Sequence, residues 1–326
     1  MKILVTGAAG FIGSRLVDRL VADGHDVVAM IRREHPTRPL RDRGATVITG
    51  DVRDGDAVAR AVRGAEVVYH LARAKGHGQS PAAEVELTNA GGTDSVAKAS
   101  AMAGARMMVH CSSVAVYGSR HPGQPIKEDE TIQPDSPYAR SKAAAEVLAR
   151  AHARDGFAVT IARITAVLGP ECRSWVSLMR SIGRRRLPVI GAGGNWHHPG
   201  DVDDIVDGLV LCGTRGTESA VYNLAGPEPV HLRQLMLHIA AELGAEPPRS
   251  IPAAPVDWYL RLNRALEPIT GRDLPSIAGA RFLTSDRRLD LTRANRELGY
   301  QPKIDVREAI RRTADWYREQ GLLENR

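Results

Sequence analysis

Three glycines spaced three apart, Gly7, Gly10 and Gly13, follow directly on the apolar run Ile3-Leu4-Val5 and open a stretch with helical periodicity. Few folds need a strand, a turn this poor in side chains and a helix in such quick succession. Glycine at 7 permits a tight turn, glycine at 10 lets backbone amides approach an anion, and glycine at 13 lets the helix lie close to the sheet. The helix N-terminus then faces that anion with unpaired N–H groups, an arrangement suited to a pyrophosphate.

The rest of the N-terminal half supplies the context this loop requires. Runs of strand-forming residues at 2–6, 26–31, 46–49, 66–70, 106–111 and 158–164 alternate with amphipathic patterns at 11–23, 56–62, 82–103 and 138–153. Alternation of this kind predicts parallel strands joined by crossovers, hence an α/β fold with a doubly wound parallel sheet, a Rossmann fold, binding ligands at the carboxyl ends of its strands. After Gly169-Pro170 the pattern breaks into short elements and long loops. We therefore expect residues 1–169 to form the dinucleotide-binding domain, joined by a later strand near 220–226. Residues 170–326 should be mainly a smaller C-terminal α/β substrate-binding domain, closed by an amphipathic helix at 306–320.

Composition excludes several functions. The net charge of +6 is spread among acids along the chain and aromatic content is only 4%, so nucleic acid is not an expected partner. The run Arg184-Arg185-Arg186 reads as a solvated helix face. No apolar stretch is long enough to span a membrane, and Lys2, Arg15, Asp18, Arg19 and Asp23 stand where a leader would be apolar. Three scattered cysteines, Cys111, Cys172 and Cys212, suit a reduced cytoplasmic protein with neither disulfides nor zinc.

Two further patterns carry chemistry. About 20 residues past the glycines, where an NAD-binding fold places an acid for the ribose, the chain reads Ile31-Arg32-Arg33. No carboxylate competes there and a guanidinium suits a 2′-phosphate, so NADP is the first expectation and NAD the alternative. Tyr138 and Lys142 then lie four apart on a helix, with Ser113 ending the fifth strand at the ligand-binding edge. A phenol with a pKa near 10 needs help to act as a base at neutral pH. An ammonium about 5 Å away at an effective dielectric of about 20 supplies roughly 3 kcal/mol, about 2 pK units. Tyr138 is the expected general acid/base, Lys142 its electrostatic partner and ribose ligand, and Ser113 the hydroxyl that orients the substrate oxygen.

The chain resembles an extended short-chain dehydrogenase/reductase of the NAD-dependent epimerase/dehydratase family. The resemblance runs through TGAAGFIG, GDVRD, HLARA, SSVAVYG, YARSK, RITAVLGP, DVDDIVDG, YNLAGPEPVHLRQL and RRLDLTRANRELGYQP, in the family's order and spacing. It implies that Gly7, Gly10, Phe11 and Ile12 line the pyrophosphate beside Gly13, and that Asp51 and Val52 lie by the adenine. It also implies that Leu71, Ala72 and Arg73 flank the dinucleotide, that Ser113, Tyr138 and Lys142 are catalytic, and that a homodimer forms through helices 82–103 and 138–153.

Departures from the pattern narrow the activity. Family dehydratases follow the catalytic hydroxyl with an Asp-Glu pair, whereas Val114 and Ala115 stand here and carry no proton. Ala166 occupies the place of an asparagine that helps hold a sugar nucleotide's diphosphate, and Trp196 to Asp201 replaces an Arg-Asp-Phe-like run, leaving Arg173, Arg184 and Arg281 as substitutes. The stretch 258–282, with Trp258, Tyr259, Leu260, Leu262 and Leu266, is similar to hydroxysteroid-dehydrogenase and flavonol-reductase branches. His197 and His198 are adjacent and lack metal-binding spacing despite Asp201, Asp203 and Asp204 nearby, so no metal is expected; Trp196 is expected over the substrate pocket. The leading expectation is NAD(P)-dependent exchange of hydride with a secondary alcohol or ketone of a sugar-like or polycyclic small molecule. A sugar or nucleotide-sugar 4-epimerase is the alternative, and a non-catalytic dinucleotide sensor the third.

Overall fold

The computed structural model describes residues 1–74, 81–119, 123–217, 220–256, 258–259, 261–262 and 282–323. Seven strands form one parallel sheet in the order β11-β6-β5-β4-β1-β2-β3. In chain order these are β1 (Lys2–Thr6), β2 (Asp26–Ile31), β3 (Thr46–Thr49), β4 (Val67–His70), β5 (Met107–Ser113), β6 (Ala158–Ile164) and β11 (Val221–Leu224). Successive side chains point to opposite faces, so Ile3 and Val5 enter one core while Leu4 enters the other. The sheet is covered on both faces, which is why its strands read as continuous apolar runs.

One face is covered by α1 (Phe11–Ala22), with α2 (Arg38–Asp42) at its margin. The other packs against α3 (Gly55–Ala61), α5 (Gly92–Met102) and the end of α6 (Pro137–Ala151). The long helical pattern at 82–103 is interrupted: α4 (Ala82–Glu86) leads into a π turn over Leu87–Gly91 before α5 begins. Nothing in the apolar periodicity marked this widening.

The second half holds α7 (Val176–Gly183), α8 (Val202–Arg215), α9 (Leu232–Glu242) and α10 (Val306–Glu319). Between them run two-residue strands, β7 (Val167–Leu168) paired with β10 (Gly200–Asp201), β8 (Val189–Ile190) with β13 (Ser250–Ile251), and β9 (Trp196–His197) with β12 (Val230–His231). α8 is capped by Asp201, whose side chain accepts from Asp203 N at 2.9 Å, and buries Ile205, Val206 and Leu209 beneath the sheet beside α1. Together with β11 it adds residues from beyond 169 to the sheet's own layers. α7, α9 and α10 share a separate core around Met179, Leu235 and Tyr317. Arg184, Arg185 and Arg186 are exposed but follow the end of α7 instead of lying along its face. No helix of the described residues is long and apolar enough to cross a membrane.

Candidate active site

Close packing explains each glycine of the loop. Gly7 has φ +70°, and a Cβ there would stand 2.7 Å from Ala72 N; a Cβ on Gly13 would stand 2.2 Å from the Gly7 carbonyl oxygen. Gly10 caps α1 without a side chain, and no acid occupies the first turn. The amides of Phe11, Ile12 and Gly13 thus head a helix whose N-terminal cradle fits a dinucleotide pyrophosphate.

The segment where the ribose and adenine were expected corrects one reading. A carboxylate does stand beside the basic pair, because Glu34 binds Arg32 at 2.9 Å, while Arg33 is exposed. Asp51 accepts from Arg53 N, Nε and Nη2 at 2.9, 2.9 and 2.7 Å, and these bonds, with Arg32 adding to them, hold its carboxyl below the usual carboxylate range. Val52 is buried against Gly92, where any Cβ would meet its Cγ2 at 2.6 Å.

At the carboxyl ends of β4 and β5 the expected catalytic residues converge on one edge. Ser113 ends β5 and caps a 3₁₀ turn, Val114–Tyr117; its Oγ accepts from Ala115 N at 3.2 Å, which leaves the hydroxyl proton to donate outward. Tyr138 is the second residue of α6, behind Pro137 at the first position and the Ser136 cap, whose Oγ accepts from Ala139 N at 3.1 Å. The guanidinium of Arg73 stands 6.0 Å from the Tyr138 ring centre. Lys142 is 2% exposed and donates from Nζ to the Cys111 carbonyl at 2.6 Å; burial pushes its pKa down to about 8, with Arg73 acting in the same direction.

A buried chain of hydrogen bonds ties the glycine loop to this edge. Thr93 donates to the Asn89 carbonyl at 2.5 Å, so its oxygen accepts from His70 Nε2 at 3.0 Å. His70 Nδ1 is then the acceptor for the Thr6 hydroxyl at 2.7 Å, and Thr6 Oγ1 itself accepts from Ala72 N at 3.3 Å. The imidazole is therefore neutral, in agreement with a pKa lowered to about 3 by burial and by Lys142. The π turn aims the Asn89 amide two ways: its oxygen accepts from Ala74 N at 2.9 Å, and its nitrogen donates to Ser141 Oγ at 2.9 Å, which bonds the Tyr138 carbonyl at 2.8 Å. Beneath Tyr138 and Lys142, Glu146 holds Arg163 in a two-bond ion pair at 2.7 and 3.0 Å and accepts from Ser112 at 2.5 Å, with both partners of the pair almost fully buried.

Val114, which follows Ser113, lines a small, partly open cleft. Its apolar wall is Val114, Ala166, Trp175, Phe282 and Leu289, and its polar contributors include His197, His198 and Arg287. Trp196 is not on this wall; its ring lies 3.6 Å from that of His231, and Trp175 takes the place expected for it. Burial pushes the His197 pKa down to about 3, aided by Arg287, and that of His198 to about 4; His198 bonds Gly226 O and Leu289 N. Among the described residues no group of three or more His, Cys, Asp or Glu could hold a metal ion. Arg173 lies over the Trp316 ring and Arg184 follows α7, both exposed, while Arg281, Leu260 and Leu266 lie outside the described residues.

Sequence reasoning missed the Cys111 carbonyl, the Asn89 and His70 bonds, the Glu146–Arg163 pair, and Trp175 and Arg287 in the cleft. Only Glu146 carried a signal, standing one further helical turn beyond Tyr138 and Lys142.

Residues 3–225 match the NAD dependent epimerase/dehydratase family. The UDP-glucose 4-epimerase of Mycolicibacterium smegmatis is 31% identical over 98% of this chain and 100% of its own. A 4-hydroxy-2-methyl-3-oxo-4-farnesyl-3,4-dihydroquinoline-1-oxide ketoreductase of Stigmatella aurantiaca is 28% identical over 95% of each chain. Among solved structures, DesIV, a dTDP-glucose 4,6-dehydratase of Streptomyces venezuelae with NAD and TYD bound, superposes with a TM-score of 0.79 at 28% identity, covering 99% of both chains. The chain belongs to the NAD dependent epimerase/dehydratase family and is an enzyme of this NAD-dependent type.

Proposed function

We propose that this member of the family interconverts a secondary alcohol and a ketone of a small molecule, with NAD or NADP as hydride partner and Tyr138 as the proton donor and acceptor. The observation that carries this reading is the wall of the cleft at Ser113. Where a dehydratase needs an acid, Val114 lies 5% exposed in the lining and Ala115 follows it. The neighbouring His197 and His198 are neutral.

When bound, the dinucleotide gives or takes the hydride. The glycine cradle holds its pyrophosphate, and Ser113 orients the substrate oxygen with its free proton. Tyr138 exchanges a proton with that oxygen, and Lys142 favours the phenolate while it remains an ammonium. Val114, Trp175 and Phe282 keep water from the reacting carbon. A 4-epimerase is the second reading, supported by the full-length likeness to a UDP-glucose 4-epimerase.

Identification of the nucleotide released from denatured protein by mass separates the two. A protein that purifies without nucleotide and binds added dinucleotide reversibly fits the dehydrogenase; stoichiometric retained NAD turns the reading to epimerisation. Wild-type turnover in Tyr138→Phe would sink the proton role under both. We further propose that 1–169 with β11 forms the dinucleotide half and most of 170–326 the substrate half. The cysteines are buried free thiols, which supports a cytoplasmic location. A homodimer through α4, the π turn, α5 and α6 is supported by Leu87 in the π turn, Met102 on α5 and Val147 on α6, which are 61%, 74% and 66% exposed.

A further inference from the structure

Arg287 is half-buried, and among the described residues it has no neutralising partner. Its Nε donates to the Gly118 carbonyl at 2.5 Å and its backbone N to the Trp196 carbonyl at 2.8 Å, which fixes the side chain against the turn that follows Ser113. Among the described residues neither terminal nitrogen is hydrogen-bonded, and no carboxylate lies within ion-pair distance. Asp135, the opposite charge acting on it, stands farther off and accepts the Ser119 hydroxyl. Burial lowers the guanidinium pKa, yet an arginine stays charged at any physiological pH. A fixed cation lining a cleft, with donors to spare and part of its solvent removed, is stabilised by an anion that enters that cleft.

The surroundings say which kind of anion. Val114, Trp175, Phe282 and Leu289 offer apolar surface, and the two histidines carry no charge near neutrality. A nucleoside diphosphate brings several negative charges, while the described lining contains one cation. A carboxylate brings one, and its two oxygens match the paired N–H groups of a guanidinium. We propose that the cleft takes a keto or hydroxy acid with an apolar body, and that Arg287 holds its carboxylate beside the carbon that reacts at Ser113. This deepens the hydride-transfer reading and rests on it.

The test is calorimetric titration of the purified protein, loaded with its dinucleotide, with hexanoate, hexanamide and UDP. Hexanoate should bind about tenfold or more tightly than hexanamide, the range expected for one desolvated charged hydrogen bond. In Arg287→Met that preference should vanish while the hexanamide affinity stays. Equal binding of acid and amide to the wild type, no hexanoate binding at millimolar concentration, or UDP binding more tightly than hexanoate would each overturn the proposal. These wild-type outcomes decide it even if Arg287→Met fails to fold. Hexanoate binding should persist in Tyr138→Phe, so loss of the catalytic reading and loss of the carboxylate site give different results.

Discussion

Lys142 is expected to weaken the fold that contains it. Its pKa falls from the ordinary 10.5 to about 8 because burial strips water from the ammonium. At about 1.4 kcal/mol per pK unit, keeping that proton at pH 7 costs about 3 kcal/mol of stability. The sign follows from proton counting. Between the two pKa values the unfolded chain binds the proton and the folded chain does not, so stability rises with pH through that window. Replacing Lys142 by Met removes the titration. In nucleotide-free protein, the urea-unfolding free energy of wild type should gain about 2 kcal/mol on Lys142→Met between pH 7 and about pH 9.5. Lys142→Met should meanwhile lose turnover. A gap between the two proteins that stays constant over this range would refute the argument that burial holds this ammonium at a cost. A shrinking wild-type advantage would mean that the lysine is stabilised in place.

Glu146→Gln should lower unfolding stability by about 3–5 kcal/mol in urea titration, because it leaves the Arg163 guanidinium buried without a counter-charge; a loss below about 1 kcal/mol would mean that the network rearranges. His70, His197 and His198 are neutral in the fold, with pKa values near 3, 3 and 4, and ionise once unfolded. Stability should therefore be intact above pH 6.5 and fall by up to about 4 kcal/mol per pH unit below it, an effect that thermal melts from pH 7 to 5 would reveal and His70→Asn would reduce. Leu87→Glu combined with Val147→Glu should convert a sedimenting dimer to monomer with the melting temperature of the isolated subunit unchanged; unchanged sedimentation of a dimer would place its interface elsewhere.

Strands at 2–6, 26–31, 46–49 and 158–164 were legible to the residue, because a buried parallel strand between glycine-rich turns leaves little choice of boundary. The Ser113, Tyr138 and Lys142 positions were legible for a related reason, since strand ends and helical spacing put them at one edge. α8 was not read out, although Asp201 followed by apolar residues at 202, 205, 206 and 209 carries a cap and a helical face. The π turn and the Asn89 bonds depend on one extra backbone residue per turn, which side-chain periodicity does not encode. Glu34 beside Arg32 and Arg287 in the cleft depend on how loops return, and spacing along the chain says little about that.

The position of β11 bears on how the chain is made. β6 lies next to β11 at one side of the sheet, and Val221 to Leu224 pair with Ile161 to Ile164. On a ribosome, the first six strands emerge with the β6 flank open until about 60 more residues have followed, an interval of several seconds at about 5–20 residues per second. During that interval its unpaired amides and carbonyls are a template for any extended segment nearby. A fragment ending at 169 keeps that flank exposed permanently and should aggregate, whereas one ending beyond 224 can close it.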